Sequence, residues 1–285
     1  MVKLSLIQLS SSTDVAVNLK KIEGFLVEIT TKYAMLTPPM ESGLEDAVKH
    51  LVVLPECCLH FGGRDSEQLA LAVKSASDDY LRVALAKLAA KFSVYLVAGS
   101  IPIAASSNQK FTNSSCMFSP KGQLLGQYDK IHLFDVQVGD NTGSYCESRF
   151  TQAGTDTCLV KTDFANIGLT ICFDLRFPML FQKLTHAGAD IITVPSAFTK
   201  VTGKAHWLAL LQARAVENQV YIIAAGQQGM HDNGRETWGH SMIINPWGEI
   251  EQCIEEGEGY ISVDYQANDL AEIRASMPLK SPLNQ

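Results

Sequence analysis

Residues 167–178, Ile-Gly-Leu-Thr-Ile-Cys-Phe-Asp-Leu-Arg-Phe-Pro, constrain the fold more than any other stretch of the chain. Ile167, Leu169 and Ile171 make a short apolar run followed by helix-start residues, the pattern of a buried strand. Cys172 stands where that strand should end. Pro178 can open a helix, because the N–H that proline lacks is unpaired in a first helical turn anyway. A strand that ends on a cysteine and turns into a helix holds the sulfur on a rigid element. Backbone N–H groups nearby can then stabilise a thiolate or an oxyanion. A cysteine on a strand is by itself an ordinary buried side chain, so the chemistry has to come from the rest of the sequence.

The same alternation runs along the chain. Strand patterns are read at residues 3–9, 50–54, 94–101, 191–194, 220–225, 238–245, 250–255 and 260–263, and a hairpin at 111–118 and 124–129 around Pro120-Lys121-Gly122. Helical spacing is read over 15–32, capped by Asp14 and carried by Val15, Leu19, Ile22, Leu26 and Ile29. Further helices are read over 66–92 in two pieces, 178–186, 205–218 and 265–276. Residues 35–46, with Pro38, Pro39 and Gly43, read as a loop or an insertion. Residues 131–155 show no periodicity, and loops that long in a compact domain are usually functional. Hairpins and βαβ-like stretches are mixed, no repeat is visible, and no shift in composition marks a boundary. The expectation is one α/β domain with a mixed sheet over residues 1–278, followed by a short irregular tail, 279–285.

Charge and cysteine usage exclude several classes of partner. The formal net charge is −7 and there is no Lys/Arg block, so neither nucleic acid nor an anionic membrane surface is expected. No stretch approaches the length of a bilayer span. The first residues run straight into a strand pattern, with no apolar leader or cleavage site. The seven cysteines are odd in number and irregularly spaced, and none forms a CxxC pair. That pattern points to reduced thiols in the cytoplasm, without a disulfide framework or a zinc site.

Three stretches place a polar residue just beyond an apolar strand: Val52-Val53-Leu54-Pro55-Glu56, Tyr128-Asp129-Lys130-Ile131-His132-Leu133, and Ile171-Cys172-Phe173-Asp174. Catalytic groups of open α/β sheets gather beyond strand ends, so a glutamate, a lysine and a cysteine at three such ends can be neighbours. Asp174 and Arg176 read as a structural hydrogen-bonding pair, His206 and His240 as structural histidines, and Cys57 and Cys58 as packing residues.

These stretches resemble the glutamate, lysine and cysteine motifs of the nitrilase (carbon–nitrogen hydrolase) superfamily. The resemblance runs from about Lys3 to Pro278. Pro195-Ser196-Ala197-Phe198, Ala205-His206-Trp207, Gln212-Ala213-Arg214-Ala215 and Gly239-His240-Ser241-Met242 resemble its Nit branch. The resemblance implies a single-domain, four-layer α-β-β-α sandwich, usually a homodimer, that needs no metal or organic cofactor. It implies Cys172 as nucleophile, Glu56 as base and then acid, Lys130 as the positive charge facing an oxyanion, and the Phe173 amide as its partner donor. Glu147 matches a second glutamate of the branch, with the role of orienting Lys130 or the amine side of a substrate. Arg176, Phe198 and Thr199 are candidates to line the pocket, with Lys200 and Lys204 as further donors. The implied activity is hydrolysis of a small carboxylate-bearing amide through a thioester, with deaminated glutathione as the expected substrate. Omega-amidase activity on alpha-ketoglutaramate and ureido-acid hydrolysis are the alternatives.

Overall fold

The computed structural model describes residues 1–34, 48–105, 109–140 and 143–279. The expected insertion at 35–46 and the tail beyond 279 lie outside them. The first half of the chain runs β1 (Val2–Gln8), α1 (Val15–Ala34), β2 (Lys49–Val53), α2 (Asp65–Ser75), α3 (Tyr80–Phe92), β3 (Tyr95–Val97), β4 (Ile101–Ala104), β5 (Phe111–Phe118) and β6 (Leu124–Asp129). Then come β7 (Asp135–Gln137), β8 (Ser144–Cys146), β9 (Cys158–Lys161), β10 (Asn166–Leu169), α4 (Pro178–His186), β11 (Ile191–Thr193) and α5 (Lys200–Asn218). The chain continues through β12 (Tyr221–Ala224), β13 (Gln228–Met230), β14 (Glu236–Trp238), β15 (Ser241–Ile244), β16 (Ile250–Ile254), β17 (Gly259–Asp264) and α6 (Ala267–Ser276).

Two sheets form the interior. One is ordered β17-β1-β2-β3-β5-β4, with β6 on the other edge of β5; the second is ordered β16-β15-β12-β11-β10-β9. At the heart of each, three strands are parallel: β1-β2-β3 and β10-β11-β12. Period-two alternation sorts the first sheet into its two faces. Leu4, Leu6, Leu51 and Val53 share a core with Ile167, Leu169, Ile222 and Ile243 of the second sheet. The intervening Ile7, Leu9, Val52 and Leu54 pack with Ile22, Leu26 and Ile29 of α1 and Leu81 and Leu85 of α3. On the second sheet, Leu180, Phe181 and Leu184 of α4 and Trp207, Leu211 and Ala215 of α5 complete the packing. The layers are therefore helix, sheet, sheet, helix, as the family resemblance implied. Asp14 caps α1 as expected, its Oδ1 accepting from the amides of Ala16 and Val17 at 2.8 and 3.1 Å.

The departures from expectation have local causes. Residues 94–101 form two strands, because the chain bends at Gly99 (φ +51°) so that β3 and β4 pair along the same edge of β5. Residues 238–245 are likewise split by Gly239 and His240, both at positive φ. Helix α5 starts five residues earlier than the spacing indicated, because the Thr199 hydroxyl caps it by accepting from the Thr202 amide. Strands β9 and β13 and the β7–β8 hairpin inside residues 131–155 are too short to show periodicity.

Gly99 also permits a close approach. A Cβ at this position would lie 1.9 Å from the Pro55 carbonyl oxygen. Gly99→Ala is therefore expected to destabilise the fold by about 2–4 kcal/mol, through positive-φ strain and overpacking. Gly24→Ala is the control. Gly24 lies mid-helix in α1 with nothing within 4 Å of an added Cβ, and the change is expected to stabilise by about 0.4–1 kcal/mol. Denaturant unfolding of the two variants checks both signs.

Candidate active site

Three strand ends and one loop converge on a cavity of about 370 Å³. Glu56 follows β2, Lys130 follows β6, Cys172 follows β10, and Glu147 opens a 3₁₀ turn after β8. Lys130 is 2% exposed and Glu56 5% exposed, so the charges of both must be neutralised locally. Lys130 Nζ donates to Glu56 Oε1 at 2.8 Å and to Glu147 Oε2 and Oε1 at 2.9 and 3.2 Å. Asn113, on β5, ties the two carboxylates together by donating from Nδ2 to Glu56 Oε1 at 3.0 Å and to Glu147 Oε1 at 3.2 Å. The Phe134 amide fixes the other Glu147 oxygen at 2.7 Å.

The cysteine turn is held from behind. Cys172 has φ +50° and donates its amide to the Pro195 carbonyl at 2.8 Å. Asp174 is fully buried. Its Oδ2 accepts from the Ile171 amide at 2.9 Å and from the Tyr128 hydroxyl at 2.8 Å, while its Oδ1 meets His132 Nδ1 at 2.7 Å. One carboxylate thus pins the turn bearing Cys172 to the segment bearing Lys130. The expected Asp174–Arg176 pair does not form. Arg176 instead faces the cavity, its guanidinium over the rings of Phe173 and Phe198 and within 3.3 Å of His206 Nδ1.

The electrostatics favour a neutral thiol at rest. Burial pushes the Cys172 thiol well up, the Glu56 charge pushes it further, and Lys130 only partly offsets them. Burial also works to raise the Glu56 carboxyl, but the charge and hydrogen bond of Lys130, with smaller contributions from the Cys172 hydrogen bond and the Arg235 charge, outweigh it, so Glu56 sits below the usual glutamate value. Lys130, despite its burial, is held well above the ordinary lysine range by Glu147 and Glu56. At neutral pH the group is thus a thiol beside the Glu56 carboxylate and the Lys130 ammonium. A carboxylate in contact with a thiol can take its proton, and an ammonium beside it can meet a developing oxyanion.

Glu56, Lys130, Glu147, Cys172, Phe173, Arg176, Phe198 and Thr199 all line the one cavity. The Thr199 hydroxyl is engaged as the cap of α5. Lys200 is turned away onto Glu236 at 2.6 Å, and neither it nor Lys204 lines the cavity. Asn113 and Arg235 escaped the reading of the sequence. Asn113 sits inside a strand that reads only as a hairpin arm, and Arg235 follows a Gly234 turn with no flanking pattern. His240 is structural as expected, stacked on Trp238 with Nδ1 at the Trp238 carbonyl. Among the described residues no cluster of His, Cys, Asp or Glu could hold a metal ion.

Residues 3–275 match the sequence family described as carbon–nitrogen hydrolase. The chain belongs to that family. It is 38% identical to the deaminated glutathione amidase of Yersinia enterocolitica over 97% of its own length and 91% of that protein. It is 42% identical to the deaminated glutathione amidase of Synechocystis sp. over 80% of this chain and 84% of that one. The structure of Saccharomyces cerevisiae Nit3, a member of branch 10 of the nitrilase superfamily, superposes with a TM-score of 0.84 at 28% identity, covering 100% of this chain and 97% of that one. The protein is a hydrolase acting on carbon–nitrogen bonds, built as the four-layer sandwich of the nitrilase superfamily.

Removing Lys130 tests the balance of charges. Lys130→Met leaves the buried Glu56 without its ammonium partner and facing Glu147, an expected loss of about 3–5 kcal/mol at pH 7. In the intact protein the depressed Glu56 contributes stability that is full above the unfolded glutamate value of 4.5 and lost as pH falls through its lower folded value. Without Lys130, burial raises Glu56 instead, so the variant gains stability as its carboxylate takes a proton. The deficit therefore narrows as the pH falls toward 4.5. Urea unfolding of both proteins across the acid range reads it.

Proposed function

We propose that the protein is a cysteine amidase that hydrolyses deaminated glutathione to alpha-ketoglutarate and cysteinylglycine. The observation that carries the chemistry is the Glu56–Lys130–Glu147 cluster, with Glu56 and Lys130 buried, beside the Cys172 thiol in one cavity. Support for the substrate comes from the names of its relatives in Yersinia and Synechocystis. It also comes from guanidinium groups in the cavity wall, Arg176 among them, which match the planar geometry of a carboxylate.

The reaction follows from the placement of the groups. Glu56 takes the Cys172 proton as the sulfur attacks the amide carbon, and the carbonyl π pair moves onto oxygen. Lys130, with the Phe173 amide, faces that oxyanion. Collapse breaks the C–N bond, and Glu56 returns its proton to the departing amine. Glu56 then deprotonates a water molecule that attacks the thioester, releasing the acid and restoring the thiol. Glu147 and Asn113 position Lys130 and Glu56 and do not exchange protons with the substrate. No cofactor enters these steps. The remaining elements of this reading are a catalytic domain over residues 1–278, a homodimer and a cytoplasmic location. No helix among the described residues is long and apolar enough to cross a membrane.

Two measurements test it. kcat/KM for deaminated glutathione is expected to exceed that for alpha-ketoglutaramate on the same preparation. The reverse order moves the assignment to an omega-amidase, and activity on neither overturns the substrate. Glu56→Gln is expected to lower kcat by about 10²–10⁴-fold, the range for a lost general acid–base. A smaller loss would mean that another group moves the proton.

A further inference from the structure

Among the described residues, the buried side-chain polar atoms without a hydrogen-bond partner include His60 Nε2, Gln68 Oε1, Ser115 Oγ and Arg235 Nε. Three of these four belong to residues lining the catalytic cavity: His60, Gln68 and Arg235. Buried polar groups are ordinarily paired, so their concentration on one wall needs a cause. None of them has a part in the steps assigned to Glu56, Lys130 and Cys172.

Their chemistry is defined by the bonds they do make. His60 Nδ1 meets the Thr13 carbonyl at 2.9 Å. A carbonyl pairs only with a donor, so Nδ1 carries a proton, and in that tautomer Nε2 is an acceptor. The nearest carboxylate oxygen, from Glu67, is 3.8 Å from Nε2, beyond hydrogen-bond reach. The Gln68 amide nitrogen is committed to the His60 carbonyl, so its unpaired Oε1 is a second acceptor. Arg235 is a donor only. Its Nη2 holds the Ala197 carbonyl at 2.9 Å, and its guanidinium lies 5.0 Å from the ring centres of both Phe61 and Tyr145. Ala197 adjoins Phe198 in the loop beside Cys172, whereas Phe61 adjoins His60. Arg235 therefore spans from the catalytic centre to the His60–Gln68 wall. Asn233 ties the two loops, donating to the Gly63 carbonyl at 3.1 Å.

We propose that this wall is a leaving-group subsite for a peptide: Arg235 takes its terminal carboxylate, and His60 Nε2 and Gln68 Oε1 accept from its N–H groups. The inference rests on the amidase reading above and adds what selects the amine half of the substrate. Two acceptors and one cation on a single wall complement a group that presents amide N–H donors and a carboxylate, as a dipeptide does. A primary amide releases ammonia and offers this wall nothing. The three atoms are buried although their residues line the cavity, so engaging the ligand takes a rotation of each side chain.

Deaminated glutathione and alpha-ketoglutaramate share their acyl half and differ only in the amine released, so the ratio of their kcat/KM values isolates the subsite. In Arg235→Met and in Gln68→Leu that ratio is expected to fall at least about tenfold, mainly through KM for deaminated glutathione, as for loss of a hydrogen bond to a charged or buried partner. Misfolded protein lowers both activities together and leaves the ratio unmoved. Equal losses on the two substrates would place Arg235 on the acyl side and overturn the proposal, as would an unchanged ratio in both folded variants. Calorimetry with cysteinylglycine separates this from the substrate assignment. Binding to the wild-type protein that weakens at least about tenfold in Arg235→Met supports the subsite even if deaminated glutathione is not turned over. Absence of binding to the wild-type protein overturns it.

Discussion

The site depends on one buried cation. Lys130 is almost fully enclosed, and a lone ammonium there would be driven to lose its proton. Glu56 and Glu147 prevent this by contributing three donor–acceptor distances between 2.8 and 3.2 Å. The dependence is mutual, because each carboxylate is tolerated only while the ammonium is present. A pair of this kind contributes little net stability against an apolar replacement but strongly penalises loss of one partner. It specifies geometry more than it strengthens the fold. Lys130 and Glu56 are held in one fixed arrangement beside the Cys172 thiol.

The fold supplies the rigidity that such a cluster needs. Strands β2, β6 and β10 end at the same rim, on two different sheets, and the apolar layer between the sheets fixes the distance between them. Asp174 couples the rims directly by bonding both the turn at Ile171 and the Tyr128–His132 segment. Gly99 lets the β3–β4 bend press against Pro55, next to Glu56. Ser100 then accepts from the Cys57 amide at 2.9 Å. Glu56 is thus set by backbone geometry on one side and by the ammonium on the other.

Much of this was legible in the sequence for identifiable reasons. The buried strands appear as apolar runs, and α4 is marked at both ends, by Pro178 and Gly188. Glu56, Lys130 and Cys172 stand directly after such runs, so strand periodicity and family resemblance point to the same positions. The cavity's further polar groups were hidden because their signal is three-dimensional. Asn113 is one polar residue in a strand, and Arg235 sits on a short hairpin that no periodicity announces. Lys200 looked suitable by its place in the chain. The turn of α5 directs it to Glu236 instead, while Arg176, expected to pair with Asp174, faces the cavity.

The proposed chemistry requires the Cys172 sulfur to form a covalent acyl intermediate within this charge cluster. Peptide mapping by mass spectrometry of protein quenched in acid during turnover of deaminated glutathione tests it most directly. An alpha-ketoglutaryl thioester is expected on the peptide carrying Cys172, with no adduct in Cys172→Ala. An adduct on Cys57 or another cysteine, or turnover by Cys172→Ala at the rate of the intact protein, would contradict it.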